Sequence, residues 1–130
     1  AVRMDKHCDN AEAIVDMLVD HPAIDSVLYP GLPGHPGHEV ATKQMTRFGG
    51  MISLRLKGGK QAALDMCARA ELFTLAESLG GIESLIEHPG AMTHASTDGS
   101  LLEVPDDLVR LSVGIEDIAD LIGDLEQALR

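Results

Sequence analysis

The stretch LVRLSVGIEDIADLIGDLEQAL, residues 108–129, carries the clearest structural pattern of the chain. In its first part, apolar residues alternate with Arg110 and Ser112, which is the period-two pattern of a strand with one buried face. Gly114 ends this strand. The remainder has carboxylates in its first turn, at Glu116 and Asp117, and apolar residues at helical spacing. The inward residues of that helix are Ile118, Leu121, Ile122, Leu125 and Leu129. A strand with an arginine on its polar face therefore leads directly into an amphipathic helix.

The upstream sequence repeats this mixture of short strands and amphipathic helices. A first helix is predicted over residues 4–20, before Pro22. Two more helices are expected, one over residues 39–46 and one after the Gly58-Gly59 turn. The inner face of the latter is predicted at Leu64, Cys67 and Ala68, with Ala63 beside them. The strands are predicted at residues 24–29, 51–56, 72–76, 83–87 and 109–113, with a Pro/Gly-rich loop at residues 30–38. The order predicts an α+β fold in which helices cover one face of a small, largely antiparallel sheet.

Length and composition indicate one acidic domain. The 130 residues are 45% hydrophobic, which is enough for a single core. Asp and Glu total 21 against 10 Lys and Arg, so the formal net charge is -11. Nucleic acid backbones and anionic membranes would be repelled by this charge. These two classes of partner are therefore not expected.

The cysteines and the hydropathy pattern predict a cytoplasmic protein. Cys8 and Cys67 lie far apart, without the spacing of a disulfide framework or a structural zinc site. No stretch approaches the roughly 20 apolar residues that a membrane-spanning helix needs. A reducing, aqueous compartment fits both observations.

Two short motifs suggest ligand binding but have simpler explanations. His35 and His38 form an H-x-x-H pair in the Pro/Gly loop, yet no further ligands stand nearby to complete a zinc site. Lys57 and Lys60 flank two glycines without the spacing of a phosphate-binding loop. We therefore predict no metal site and interpret both motifs as ordinary loops and turns.

Arg110 and the segment TLAESLGGIE, residues 74–83, are the strongest candidates for binding. A guanidinium can hold a carboxylate by two parallel charge-assisted hydrogen bonds. The glycines after Ser78 allow a close approach of the backbone, and its hydroxyl can donate and accept. From the residues alone, a salt bridge from Arg110 to Glu77, Glu83 or another carboxylate explains the arginine slightly better, because structural ion pairs are common.

A resemblance to a known family changes this balance. Residues 74–96, TLAESLGGIESLIEHPGAMTHAS, together with residues 108–129, closely resemble the C-terminal domain of the pyridoxal-phosphate (PLP) enzymes of cysteine and methionine metabolism. The resemblance extends to VLYPGLPGHPGHEVA, residues 27–41, and FGGMISLRL, residues 48–56. It is nearest to the cystathionine γ-synthase branch of these fold-type I trans-sulfuration enzymes.

The resemblance implies roles for four residues. Arg110 is expected to hold the α-carboxylate of an amino-acid substrate, with Ser78 beside that carboxylate. Glu77 is expected to face the distal end of the substrate, where a Glu suits the γ-synthase and γ-lyase branch. Thr93 is expected at the edge of the same site.

The resemblance also implies what the chain lacks. The Schiff-base lysine and the PLP-binding residues of the family belong to an N-terminal domain, so no catalytic or cofactor-binding residue is expected here, and the fragment alone should be inactive. Lys43 imitates the lysine motif but lies in the C-terminal stretch. Residues 1–20 are interpreted as a helix entering from that missing domain, and residues 21–130 as the C-terminal small domain.

The implied reaction joins an acylated homoserine and cysteine into cystathionine, within a homotetramer of methionine biosynthesis. Cystathionine γ-lyase and homoserine-ester sulfhydrylase are alternatives within the family. A cofactor-free α+β binding module is the alternative from another class.

Overall fold

A computed structural model describes residues 1–92, 100 and 103–130 of the chain. The helices of this part are α1 (Val2–Val19), α2 (His38–Gln44), α3 (Gly59–Arg69), α4 (Pro89–Met92) and α5 (Ile118–Ala128). The strands are β1 (Ile24–Leu28), β2 (Met51–Leu56), β3 (Thr74–Leu75), β4 (Leu85–Glu87) and β5 (Leu108–Ser112). This mixture confirms the predicted α+β class.

The strands form one sheet in the order β1-β2-β5-β4-β3. The pairs β1–β2, β2–β5 and β4–β5 are antiparallel, and the short pair β3–β4 at the edge is parallel. The sheet is therefore largely antiparallel, as predicted. β5 lies in its centre, and Arg110 on this strand is opposite Ser53 of β2 and Glu87 of β4.

The hydrophobic core lies between the sheet and helices α1, α3 and α5. Alternate strand residues enter this core because successive side chains of a strand point to opposite faces. The core residues of β2 and β5 are Ile52, Leu54, Leu56, Val109 and Leu111, and their helical neighbours include Ala11, Ile14, Leu18, Ala63, Leu121 and Leu125. Ser53, Arg55 and Arg110, the residues between them on the strands, are only partly buried. These define the outer face of the sheet.

The inner face of α3 differs from the prediction. Ala63, Met66 and Cys67 are buried, whereas Leu64 is only half-buried and Ala68 is exposed. Each residue of a helix is rotated by about 100° from the one before it, so Ala68 points away once Ala63 and Cys67 face the sheet. The predicted inner face was therefore rotated too far towards Ala68.

The start of α5 also differs in detail. Asp117 precedes the helix as its N-cap, and its side chain accepts a hydrogen bond from the backbone N–H of Ala119 at 2.9 Å. Glu116 lies outside the helix, and its carboxylate accepts from the backbone N–H and the hydroxyl of Ser84 at 2.6 and 2.8 Å. The two carboxylates thus have different roles: Asp117 caps α5, and Glu116 binds the segment before β4.

Candidate functional site

The segment between β3 and β4, residues 76–84, folds against the end of β5. The backbone N–H of Gly80 donates to the hydroxyl of Ser112 at 2.8 Å, and Arg3 donates to the carbonyl oxygen of Gly80 at 3.0 Å. Gly80 has a φ of 75°, a left-handed conformation that costs glycine little. We call residues 76–84 the site loop. The parallel pairing of β3 and β4 requires such a connection, because parallel strands cannot be joined by a tight hairpin.

The far end of the site loop is fastened at Ser84. Its hydroxyl accepts a hydrogen bond from the backbone N–H of Gly114 at 2.8 Å while donating to Glu116. Gly114 has no room for a side chain, since a Cβ atom there would collide with the backbone of Ile82 and Glu83. The chain after β5 and the site loop are therefore in direct backbone contact.

Arg110 holds the near end of the site loop through one nitrogen. Its Nη2 donates to the carbonyl oxygens of Glu77 and Ser78, at 3.4 and 3.2 Å, and to Oε2 of Glu87 at 2.5 Å. The Arg110 side chain is 21% exposed, so the guanidinium lies at the surface of the outer face. Within the part of the chain that the structure describes, Nε and Nη1 of Arg110 make no hydrogen bond and remain available to a ligand.

The carboxylate that pairs with Arg110 is Glu87. The predicted salt bridge thus exists, with Glu87 as its partner instead of Glu77 or Glu83. The Glu87 side chain is only 1% exposed. The sequence contained part of the signal: Glu87 follows Ile86 on the strand predicted at residues 83–87, so the two side chains point to opposite faces. The pairing of this strand with that of Arg110, which brings the two charges together, is seen only in the structure.

Three of the four predicted site residues therefore lie together. Arg110 contacts both Glu77 and Ser78, but through their main-chain oxygens. The side chains of Glu77 and Ser78 belong to exposed residues on the same surface as the guanidinium. Thr93 lies outside the described residues.

The chemistry of this site fits the carboxylate of a small molecule better than a cofactor. An arginine with free donors at the surface of a sheet suits a carboxylate. The lysines at 43, 57 and 60 are exposed, and the last two are engaged elsewhere, with the carbonyl oxygen of Pro22 and the carboxylate of Asp106. Lys6, the remaining lysine, lies half-buried on α1. The donors that Arg110 presents on the outer face suit the binding of a carboxylate.

The remaining motifs have local roles. Nδ1 of His35 accepts from the backbone N–H of Gly37 at 3.0 Å, and Nδ1 of His38 lies 2.8 Å from the carbonyl oxygen of Pro30. Across residues 1–92, 100 and 103–130, no group of three or more His, Cys, Asp or Glu side chains is arranged to hold a metal ion. Both cysteines are free and buried, and burial raises the pKa of the Cys67 thiol to about 11, aided by the charge of Glu87.

The chain is similar to known proteins over nearly its whole length. The family described as Cys/Met metabolism PLP-dependent enzyme matches residues 1–130. A cystathionine gamma-synthase of Mycobacterium tuberculosis is 70% identical over 128 residues, covering 98% of this chain and 33% of that protein. A cystathionine beta-lyase of Coxiella burnetii is 54% identical, covering 99% of this chain and 34% of that protein.

A solved structure shares the fold closely. The crystal structure of metB from Corynebacterium glutamicum superposes with a TM-score of 0.97 at 65% identity, covering 99% of this chain and 34% of that one. The chain thus spans about a third of the length of the relatives that it matches. None of the helices in the described part of the chain is both long and apolar enough to cross a membrane.

Proposed function

Because the chain belongs to the PLP-dependent enzymes of cysteine and methionine metabolism, we propose that it is the C-terminal part of a cystathionine γ-synthase. The proposed reaction replaces the acyl group of an acylated homoserine by the sulfur of cysteine and yields cystathionine. The identity of 70% to a cystathionine gamma-synthase over nearly the whole chain is the observation that carries this proposal.

In this reaction, Arg110 binds the α-carboxylate of the amino-acid substrate. PLP supplies the electron sink for chemistry at the α-carbon, and the protein selects the bond that breaks by orienting that carbon. A carboxylate held by Arg110, with the Ser78 hydroxyl beside it, cannot rotate freely, so the α-carbon is presented in one orientation. Glu77, on the exposed side of the site loop, is proposed to face the distal end of the substrate.

The proposal extends to the rest of the enzyme. We infer that the PLP-binding residues, including the Schiff-base lysine, belong to an N-terminal domain that α1 enters, and that residues 21–130 form the small domain. The relative from Mycobacterium tuberculosis is about three times as long as this chain, which supports a proposal that places the PLP-binding residues outside it. We also propose a cytoplasmic homotetramer, with Thr93 at the edge of the site.

The test replaces Arg110 in the full-length enzyme. Arg110→Lys keeps a positive charge near Glu87 but loses the pair of parallel N–H donors that a guanidinium offers to a carboxylate. One charge-assisted hydrogen bond is worth about 1.5–3 kcal/mol. We expect the KM for the acylated homoserine to rise about ten- to hundredfold, with the bound PLP content unchanged. Steady-state kinetics and absorbance of the bound cofactor measure the two quantities.

Arg55→Lys is the matched control. Arg55 lies on the same face of the sheet, where it pairs with Asp107 at 2.9 Å and does not touch the site loop. Its replacement should leave the KM unchanged. If Arg110→Lys behaves like this control, Arg110 does not bind the substrate.

Lyase activity is the second candidate, favoured by the cystathionine beta-lyase at 54% identity and by a cystathionine gamma-lyase of Dictyostelium discoideum at 50%. The intact protein supplied with acylated homoserine and cysteine should form cystathionine faster than it degrades cystathionine supplied alone. The reverse ratio would assign it to the lyases. No turnover of any of these compounds in the presence of PLP would instead favour a binding module.

A further inference from the structure

We propose that Glu87 is a positioning residue for the substrate carboxylate: its side chain fixes Nη2 of Arg110 so that the other donors of the guanidinium face the ligand. This inference rests on the proposed function of Arg110. Glu87 itself would not touch the substrate, and its effect would pass entirely through the arginine.

The sheet makes the pair rigid. Glu87 and Arg110 are directly opposite each other on the antiparallel strands β4 and β5, and Ser53 follows on β2 in the same row. Opposite residues of such strands have Cβ atoms about 4.5–5.5 Å apart, so their side chains meet without bending the backbone. β5 is the central strand of the sheet, hydrogen-bonded on both sides.

The two partners are buried to different degrees. The more deeply buried one determines the position of the other. The Glu87 side chain is 1% exposed, whereas that of Arg110 is 21% exposed. A carboxylate that is buried to this degree needs a charged or hydrogen-bonding partner, and Arg110 supplies one at 2.5 Å. Arg110, with a long and flexible side chain, is therefore the partner whose orientation is determined by the contact.

The lengths of the hydrogen bonds also indicate that Glu87 orients the guanidinium of Arg110. Nη2 carries two hydrogens and has three acceptors, of which Glu87 at 2.5 Å is much the nearest, with the two carbonyl oxygens at 3.2 and 3.4 Å. A carboxylate that binds a guanidinium by two parallel bonds uses Nη2 together with Nη1 or Nε. An incoming substrate would replace one of the long bonds to the site loop, while the short bond to Glu87 stays in place.

Glu87 also has an opposing effect, because its negative charge reduces the attraction of Arg110 for another anion. For a bidentate contact, the affinity gained by orienting Arg110 should outweigh the affinity lost to the charge of Glu87. The reason is that a guanidinium freed from Glu87 can turn towards the exposed carboxylate of Glu77 on the site loop. The two effects predict opposite changes in substrate affinity, so they can be separated by experiment.

The test uses Glu87→Asp and Glu87→Gln in the full-length PLP enzyme. The Asp variant keeps the charge and withdraws the carboxylate by one methylene, and the Gln variant keeps the length and removes the charge. We expect both to raise the KM for the acylated homoserine by about tenfold, with kcat changed less than about twofold. Binding of an unreactive α-amino acid should weaken equally, whereas binding of its carboxamide analogue should not change.

Asp107→Asn is the control, because it removes the carboxylate partner of another arginine on the same face. It should leave the KM unchanged. The melting temperature and PLP content of each variant report general damage to the fold. In an Arg110→Lys background, Glu87→Gln should add little to the KM, because both changes act through one contact.

The outcomes separate this inference from the proposed function. If Arg110→Lys raises the KM but both Glu87 variants leave it unchanged or lower it, Glu87 does not position the arginine and the proposed function stands. Equal losses for the amino acid and its carboxamide, or a fall in kcat and PLP content without a change in KM, would also overturn the positioning role. If Arg110→Lys itself has no effect, the proposed function fails first.

Discussion

At the scale of single residues, Asp124 shows how one buried carboxylate organises a turn of the chain. It accepts hydrogen bonds from the backbone N–H groups of Glu71 and Leu72 at 2.8 Å and of Phe73 at 3.0 Å. Burial acts to raise the pKa of Asp124, but these bonds and one from Gln127 outweigh it, so the pKa lies below its ordinary value. The charged form is therefore the one that the fold stabilises.

Asp124→Asn should destabilise the 130-residue chain by about 2–4 kcal/mol near neutral pH, because an amide presents one acceptor oxygen to three backbone donors. Since the pKa is lowered in the folded state, the contribution of Asp124 is complete above the unfolded pKa of about 4 and is lost as the pH falls through the folded value. Urea unfolding of both proteins at several pH values measures this difference.

Glu126→Gln, on an exposed position of the same helix, provides the comparison and should change the free energy of unfolding by less than about 0.5 kcal/mol. A difference between Asp124→Asn and the parent chain that stays constant from pH 7 to pH 3 would contradict the assigned role of the charge.

Sequence patterns predicted Arg110 of the site but missed Glu87 beside it and the structural carboxylate Asp124, for one physical reason. Arg110 stood out because its neighbours on the strand are apolar, and this alternation is local. Glu87 and Asp124 acquire their roles from partners on other elements, 23 and about 50 residues away. The register of the sheet and the position of α5 decide those contacts, and neither is visible in a local pattern.

At the scale of elements, polar side chains of α1 fasten this helix to the end of β5. Nδ1 of His7 lies 2.6 Å from the carbonyl oxygen of Val113. The side-chain amide of Asn10 donates to the carbonyl oxygens of Gly114 and Glu116 at 3.1 and 2.9 Å. Asn10 is 1% exposed and His7 is 4% exposed. The helix is thereby held directly beside the backbone that contacts the site loop.

Asn10→Ala should destabilise the chain by about 1–2 kcal/mol, because the buried carbonyl oxygen of Gly114 and the partly buried one of Glu116 lose their donor. Asp16→Ala is the control on an exposed position of the same helix, where the gain in helix propensity is similar. Urea denaturation followed by circular dichroism compares the two. An Asn10→Ala variant as stable as Asp16→Ala would show that the amide does not fasten α1.

Elements with strong periodicity were predicted well. β2 has the predicted bounds, and α1 differs by one or two residues at its ends. β3 and β4 are shorter than predicted, with two and three residues. β4 ends at Glu87 as predicted but begins two residues later, where the backbone N–H of Ser84 donates to the carboxylate of Glu116 instead of to a neighbouring strand. The lengths of these strands therefore depend on contacts with other elements and not on propensity.

At the scale of the whole molecule, this chain supplies one side of the proposed site. On its own, we expect it neither to bind PLP in a stable one-to-one complex nor to convert acylated homoserine and cysteine, because the proposed Schiff-base lysine belongs to another domain. Gel filtration after incubation with PLP, followed by absorbance spectroscopy, tests the first statement. Circular dichroism must show that the chain is folded in the same sample.

A one-to-one complex that survives gel filtration would contradict the proposed division of the enzyme. The full-length protein, treated in the same way, is the positive control. Composition and periodicity could predict the fold class of this chain, whereas the proposed PLP-binding domain follows only from the family resemblance, because a fold class does not by itself imply a function.

The hydrogen bonds from Arg110 to the site loop have a consequence for engineering the proposed enzyme. The arginine contacts the main-chain oxygens at positions 77 and 78, and every amino acid carries such an oxygen. The side chain at position 77 can therefore be exchanged in a mutant library without removing either main-chain oxygen. The main-chain contacts stay the same while the side chain varies. New substrate preferences of the proposed enzyme can therefore be selected at this position with little effect on folding.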